Sequence, residues 1–154
     1  MRRFLQWVLL GLGVALLDQV SKQAIITGMG TATLYRVNAF FDLVLAHNEG
    51  AAFSLLAQAG GWQRGFFSAV ALAAIIFIGM LIFKHQEEPR FCLGLALILG
   101  GALGNLVDRL RLGTVTDFIQ WHIGNAYWPA FNLADSAITL GVIILLWDGL
   151  RSRK

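Results

Sequence analysis

Four long apolar runs alternate with polar segments along this chain. The first covers residues 4–26, where Asp18 and Lys22 are the only charges. At 1.5 Å per residue it reaches about 35 Å, enough for a hydrocarbon core about 30 Å thick. The leading Met1-Arg2-Arg3 and the apolar run behind it have the look of a cleavable signal peptide, but hydrophobicity continues well past Asp18. A membrane-spanning helix is therefore the expectation. Further spans are predicted at residues 66–83, 91–110 and 131–149, with a polar loop at 84–90 whose Pro89 suits the first turn of the next helix. Residues 27–65 are Thr-rich and β-branched around Tyr35, Val37, Phe40, Phe41, Val44 and Leu45, which predicts short strands. Residues 47–53 read as a loop and 53–59 as a short interfacial helix. Residues 111–130 form a second extramembrane stretch, with a strand at 114–116. The chain is thus expected to be one integral-membrane domain, residues 1–154, built as an all-α four-helix bundle with a small strand layer.

Composition agrees. The 154 residues are 57% hydrophobic and 14% charged, against roughly 25% charged in soluble domains. Seventeen glycines against two prolines suit closely packed transmembrane helices. The net charge of +3 forms no basic stripe, which argues against nucleic acid as a partner. Basic residues gather instead at the ends of the apolar runs. Arg2, Arg3, Lys84, Arg90, Arg151, Arg153 and Lys154 share the side of the termini, whereas Arg36, Arg64 and Arg111 fall opposite. That asymmetry predicts cytoplasmic termini. Trp7 and Trp147 then mark the inner interface, and Trp62, Trp121 and Trp128 the outer one. The single cysteine, Cys92, excludes an internal disulfide and reads as packing.

Ionisable residues within membrane spans are expensive, and they mark functional sites. Asp18 lies about 21 Å along the first span and Asp108 about 26 Å along the third. Asp135 lies about 18 Å from the far end of the fourth. All fall in the outer half, and Asp117 follows the third span closely enough to return to that level. Asn105, Asp108 and Arg109 share a helix face, and Asp18 and Lys22 are an i, i+4 pair. Asn132, Asp135, Ser136 and Thr139 line one side of the fourth span. Gly100 and Gly104 let another helix approach closely. Two adjacent carboxylates share a proton, so one serves as base toward water while the other polarises a carbonyl. Spacing leaves open which two of Asp108, Asp117 and Asp135 pair, and Arg109 beside Asp108 suggests an ion pair there. His47, His85 and His122 are dispersed, and no His/Cys cluster has zinc-ligand spacing. A proton-coupled transporter would spread its charges through the membrane or show repeats, and neither pattern is present. A non-catalytic scaffold with paired charges is the remaining alternative.

Five ordered motifs carry a resemblance: Asp18-Gln19-Val20-Ser21-Lys22, Asn48-Glu49-Gly50-Ala51-Ala52-Phe53, residues 100–109, Val115-Thr116-Asp117-Phe118 and Phe131-Asn132-Leu133-Ala134-Asp135. Together they resemble lipoprotein signal peptidase, the bacterial type II signal peptidase. The resemblance implies Asp117 and Asp135 as a catalytic dyad. It implies Asn105, Asp108, Arg109 and Asn132 as site support, with Asp18 and Lys22 holding the end of the first helix. Asn48 and Gly50 would belong to a segment covering the substrate. It implies a four-helix fold with a periplasmic β-cradle and periplasmic helix, in the bacterial inner membrane. The implied substrates are diacylglyceryl-modified prolipoproteins, cut just before the lipidated cysteine. Water and two carboxylates suffice for that chemistry, so no cofactor is expected; oligomeric state is left open by the sequence, with a monomer as the default expectation.

Overall fold

A computed structural model describes residues 1–49 and 62–151. Four helices dominate: α1 (Arg2–Met29), α2 (Trp62–Lys84), α3 (Pro89–Leu112) and α4 (Leu133–Arg151). All four are long and apolar enough to cross a membrane. Over the most apolar stretch of each, 61% of α3 is buried, against 17%, 11% and 17% for α1, α2 and α4. The third helix is therefore the hub, and the others turn leucine, phenylalanine and isoleucine outward (Leu9, Leu16, Phe66, Phe77, Ile143 and Leu146). Apolar exposure on that scale marks a surface made for lipid.

Small residues on α3 allow this packing. A Cβ at Gly101 would run into the Ala134 carbonyl oxygen of α4, and one at Gly104 would lie 2.5 Å from Asp18 Oδ2 of α1. Gly100 likewise sits against Gly11 and Val14. The helices flanking α3 thus approach its backbone from two sides, as small-residue seams permit. Away from the site, Ile78, Ile82, Cys92, Leu95 and Leu99 form an apolar core, joined by Phe4 and Trp7. Gln86, in the turn between α2 and α3, ties down the start of α1. Its Oε1 accepts from Phe4 N at 3.3 Å, and its carbonyl accepts from Trp7 Nε1 at 3.2 Å.

At the other end lies an antiparallel sheet of β1 (Leu34–Arg36), β2 (Phe41–Asn48), β3 (Val115–Ile123) and β4 (Ala126–Tyr127), in that spatial order. Strand β3 starts almost at once after α3. Gly113 takes a left-handed conformation (φ 83°) and donates its N–H to the Arg109 carbonyl at 3.1 Å, which reverses the chain within one turn. In the β2–β3 pair Leu43 faces Ile119 but Ala46 faces Asp117, so β2 carries an extra residue, a bulge. His47 and Asn48, expected in a loop, continue β2 and pair with Thr116 and Val115. The strand expected at 114–116 is longer and runs from Val115 to Ile123, paired with β2 as far as Trp121 and with β4 through His122 and Ile123. The predicted interfacial helix at 53–59 lies outside the described residues.

Candidate active site

The site forms where α1, α3, α4 and β3 meet, and Lys22 is its electrostatic centre. The Lys22 ammonium contacts Asp18 Oδ2 at 2.8 Å, Asp108 Oδ2 at 2.9 Å and Asn105 Oδ1 at 3.1 Å. An ammonium has three N–H donors, so all of them are used. Asp18 is fully buried, and Lys22 and Asp108 nearly so. Buried charges persist when paired and hydrogen-bonded, and both conditions hold. Asp18 Oδ1 accepts the Ala134 N–H at 2.9 Å, Asp108 Oδ2 accepts the Thr116 N–H at 3.0 Å, and Asp108 Oδ1 accepts from Gln19 Nε2 at 2.8 Å. The i, i+4 pairing of Asp18 with Lys22 is as the spacing implies. The ion pair expected between Asp108 and Arg109 is absent among the described residues. Neighbours on a helix point about 100° apart, and Asp108 turns toward Lys22 instead.

Arg109 faces elsewhere. Its guanidinium lies over the Phe67 ring of α2, 5.6 Å from the centroid, and donates to the Asn105 carbonyl at 3.4 Å. At this end of the bundle α2 contributes Phe67 and also Arg64, whose guanidinium donates to the Leu110 carbonyl at 2.6 Å.

Asn132 joins the remaining two carboxylates. It precedes α4, and its Oδ1 accepts the Asp135 N–H at 2.9 Å while Asp135 Oδ2 accepts the Asn132 N–H at 3.2 Å. This reciprocal pattern is a capping box, and it fixes Asp135 in the first turn of α4. The Asn132 amide also donates to Asp117 Oδ1 at 2.7 Å. One residue therefore touches both carboxylates. Asp135 Oδ1 accepts from Asn105 Nδ2 at 2.8 Å, and Asp117 Oδ2 from Asn48 Nδ2 at 3.2 Å. Among the described residues no cation lies within ion-pair distance of Asp117 or Asp135, whereas Asp18 and Asp108 both have Lys22.

Asp117 is 3% exposed. Burial, and then the negative charge of Asp135, push its carboxyl from 3.8 up to about 6, against the opposing pull of the Asn48 and Asn132 hydrogen bonds and of Lys22. Asp135 opens onto a groove of about 670 Å³ along α4, lined by Trp121, Trp128, Phe131, Leu140 and Ile143 with Ser136 and Thr139. The two hydroxyls donate back to the helix carbonyls of Asn132 and Asp135 at 2.9 and 2.8 Å, which leaves the groove apolar.

Of the residues singled out in the sequence, Asp18, Lys22, Asn48, Asn105, Asp108, Asp117, Asn132 and Asp135 join one hydrogen-bonded network. Gly50 and the expected covering segment beyond Glu49 lie outside the described residues. Gln19 and Thr116 were not singled out, yet both hold Asp108. The Asn-x-x-Asp spacing of Asn132 and Asp135 is a legible capping signal of the kind that could have revealed the box.

An apolar four-helix bundle with carboxylates and amides buried at one end has the architecture of a membrane enzyme. Two solved structures described as a bacterial membrane enzyme superpose on the chain with TM-scores of 0.83 and 0.82. Identities are 30% and 31%, and coverage is 97% and 94% of this chain and 90% and 92% of theirs. The lipoprotein signal peptidase of Ralstonia nicotianae is 51% identical over 144 residues, covering 92% of this chain and 83% of that protein. That of Paraburkholderia phymatum is 48% identical over 145 residues, covering 94% and 87%. The family model for signal peptidase (SPase) II matches residues 10–151. The chain belongs to the signal peptidase II family, and it is a peptidase.

Proposed function

We propose that the chain is an aspartic endopeptidase that removes signal peptides from diacylglyceryl-modified prolipoproteins, cutting before the lipidated cysteine with Asp117 and Asp135. The observation that carries this reading is the division of the four carboxylates in this network. Asp18 and Asp108 share the Lys22 ammonium, while among the described residues Asp117 and Asp135 accept only from amide N–H groups and are bridged by Asn132. Two carboxylates so placed share a proton.

The elevated Asp117 carboxyl carries that proton, and Asp135 is the base. Asp135 takes a proton from water as the oxygen attacks the scissile carbonyl carbon, and Asp117 protonates the carbonyl oxygen. The tetrahedral intermediate then collapses: the C–N bond breaks, the amine leaves with the proton held by Asp135, and Asp117 recovers its own. Arg109, Asn105 and Asn132 support the reacting groups, and Gly50 with the segment beyond it covers the substrate. The groove along α4 gives an apolar approach at membrane depth, suited to a substrate anchored by acyl chains.

The protein sits in the bacterial inner membrane as a monomeric single domain, with both termini cytoplasmic and the site toward the outer face. A C-terminal reporter active only in the cytoplasm tests that orientation.

The deciding experiment is cleavage of a diacylglyceryl prolipoprotein by Asp117→Asn, Asp135→Asn and Asp108→Asn, with detergent melting as the folding control. The first two should be folded and inactive, and Asp108→Asn should retain some turnover. A dead Asp108→Asn beside an active Asp117→Asn would place Asp108 in the pair and refute the assignment.

A further inference from the structure

A second buried charge cluster lies in the sheet, and it draws one side chain from each strand. Arg36 of β1 stands opposite Asp42 of β2 in the register. Asp42 is paired with Gln120 of β3, so His122, two residues on, is its diagonal neighbour on the same face. His122 stands opposite Tyr127 of β4. The side chains follow that order. Arg36 Nε donates to Asp42 Oδ1 at 3.3 Å, His122 Nε2 lies 3.5 Å from Asp42 Oδ2, and the His122 ring stacks on Tyr127 at 5.1 Å.

Asp42 is 0% and His122 6% exposed, yet Asp42 Oδ2 and both His122 ring nitrogens have no hydrogen-bond partner among the described residues. A buried carboxylate held by so few hydrogen bonds is a poor source of stability. Its placement points to another role. The β2 bulge lies between Leu43 and Ala46, with the cluster on one side and Asn48 on the other. A one-residue slip of a strand moves every side chain to the opposite face. The extra residue at the bulge offsets the alternation of one flank from the other, so the face that Asn48 takes toward Asp117 depends on how the Phe41–Leu43 flank is held.

We propose that Arg36, Asp42, His122 and Tyr127 form a four-strand clamp that fixes the β2–β3 register and thereby positions Asn48 on Asp117. The clamp residues are positioning residues, and the proposal rests on Asp117 belonging to the catalytic pair.

The test reads the pH profile of kcat/KM for a diacylglyceryl prolipoprotein. Asp117 is faced by Asp135 of α4 and by Lys22 of α1, and it also feels Arg109 of α3. The Asn48 and Asn132 hydrogen bonds favour its ionised form. Loss of the Asn48 bond raises the alkaline limb, by about one pH unit for one hydrogen bond to a carboxylate. His122→Phe keeps the stacked ring and removes both nitrogens. It should lower the plateau and move the limb up as Asn48→Ala does, and Asp42→Asn should do the same. Arg36→Ala changes an exposed side chain, so the sheet survives and a smaller shift in the same direction is expected. A disulfide across the Leu43–Ile119 pair (L43C with I119C) should return the His122→Phe limb to its wild-type position. A wild-type profile in His122→Phe, a plateau loss with an unmoved limb, or an unmoved limb in Arg36→Ala overturns the clamp. An active Asp117→Asn overturns the catalytic reading instead, so the two failures are distinguishable.

Discussion

Replacing Asp117 by asparagine should stabilise the protein at neutral and alkaline pH, and only there. The folded carboxyl sits at about 6 and the ordinary value is 3.8, a difference of about two pKa units. Each unit is about 1.36 kcal/mol, so the ionised form costs about 3 kcal/mol once the pH exceeds both values. The sign follows from proton counting. Between about pH 4 and 6 the folded chain holds a proton that the unfolded chain has released, so stability falls as pH rises. Below about pH 4 both states hold it, and the penalty vanishes. Asparagine has no proton to lose. It keeps an acceptor for Asn132 but presents an NH2 group toward Asn48, whose amide must turn over. At worst one hydrogen bond is lost, about 1 kcal/mol. The variant should therefore be more stable than wild type by about 2 kcal/mol at pH 8 and less stable by about 1 kcal/mol at pH 4. For a chain of this size 2 kcal/mol corresponds to about 4–8 °C. Thermal melting in detergent across pH 4–8 reads the difference directly. A melting difference that stays flat over that range would falsify the argument, because it would mean Asp117 is not under strain when ionised.

On the proposed assignment the same carboxyl also governs the pH dependence of turnover. With Asp117 as proton carrier, kcat/KM of the free enzyme should decline as pH rises through about 6. The limb in kcat should lie higher, since bound substrate excludes more water; identical limbs would argue against further desolvation on binding. Lys22→Met leaves Asp18 and Asp108 buried without their cation, and removal of one partner of such a pair costs about 3–5 kcal/mol. The variant should fail to accumulate or melt far below wild type, and a normal melt would refute the reading of Lys22 as the cation that holds the two carboxylates in place. Gly104→Ala drives a methyl to within 2.5 Å of Asp18 Oδ2, whereas a Cβ at Gly13 meets nothing within 4 Å. Melting should drop by about 1–3 kcal/mol for the first and stay unchanged or rise slightly for the second. Equal effects would contradict the close α1–α3 seam.

What the sequence disclosed depended on how local each determinant is. Hydropathy reveals the helices, because lipid-facing α2 and α4 need little except length and apolarity. The Asp18–Lys22 pair is written into helical periodicity and was legible for that reason. The partner of Asp108 was not. Adjacency suggested Arg109, but the helix sends these neighbours in different directions, and the carboxylate meets Lys22 only because Gly104 lets α1 approach. The resemblance, rather than spacing, singled out Asp117 and Asp135. The Arg36–Asp42–His122 cluster lay beyond reach, since it depends on strand register and on a diagonal contact near a bulge. No period along the chain encodes such a contact.

The pairing of Asp18 with Lys22 on one helix also bears on biosynthesis. α1 leaves the ribosome well before α3 exists, and a lone charge at the centre of an inserting helix costs about 2.5–3.5 kcal/mol. Because the two groups lie one turn apart and meet at 2.8 Å, α1 brings its own counterion and need not wait for the rest of the bundle. When α3 follows, Lys22 already stands ready to receive Asp108, and the nascent helix becomes the template on which the later ones dock. A double-mutant cycle of Asp18→Asn and Lys22→Met in the isolated segment reads the pairing as non-additive insertion. Strict additivity would mean that the pair closes only after α3 has arrived.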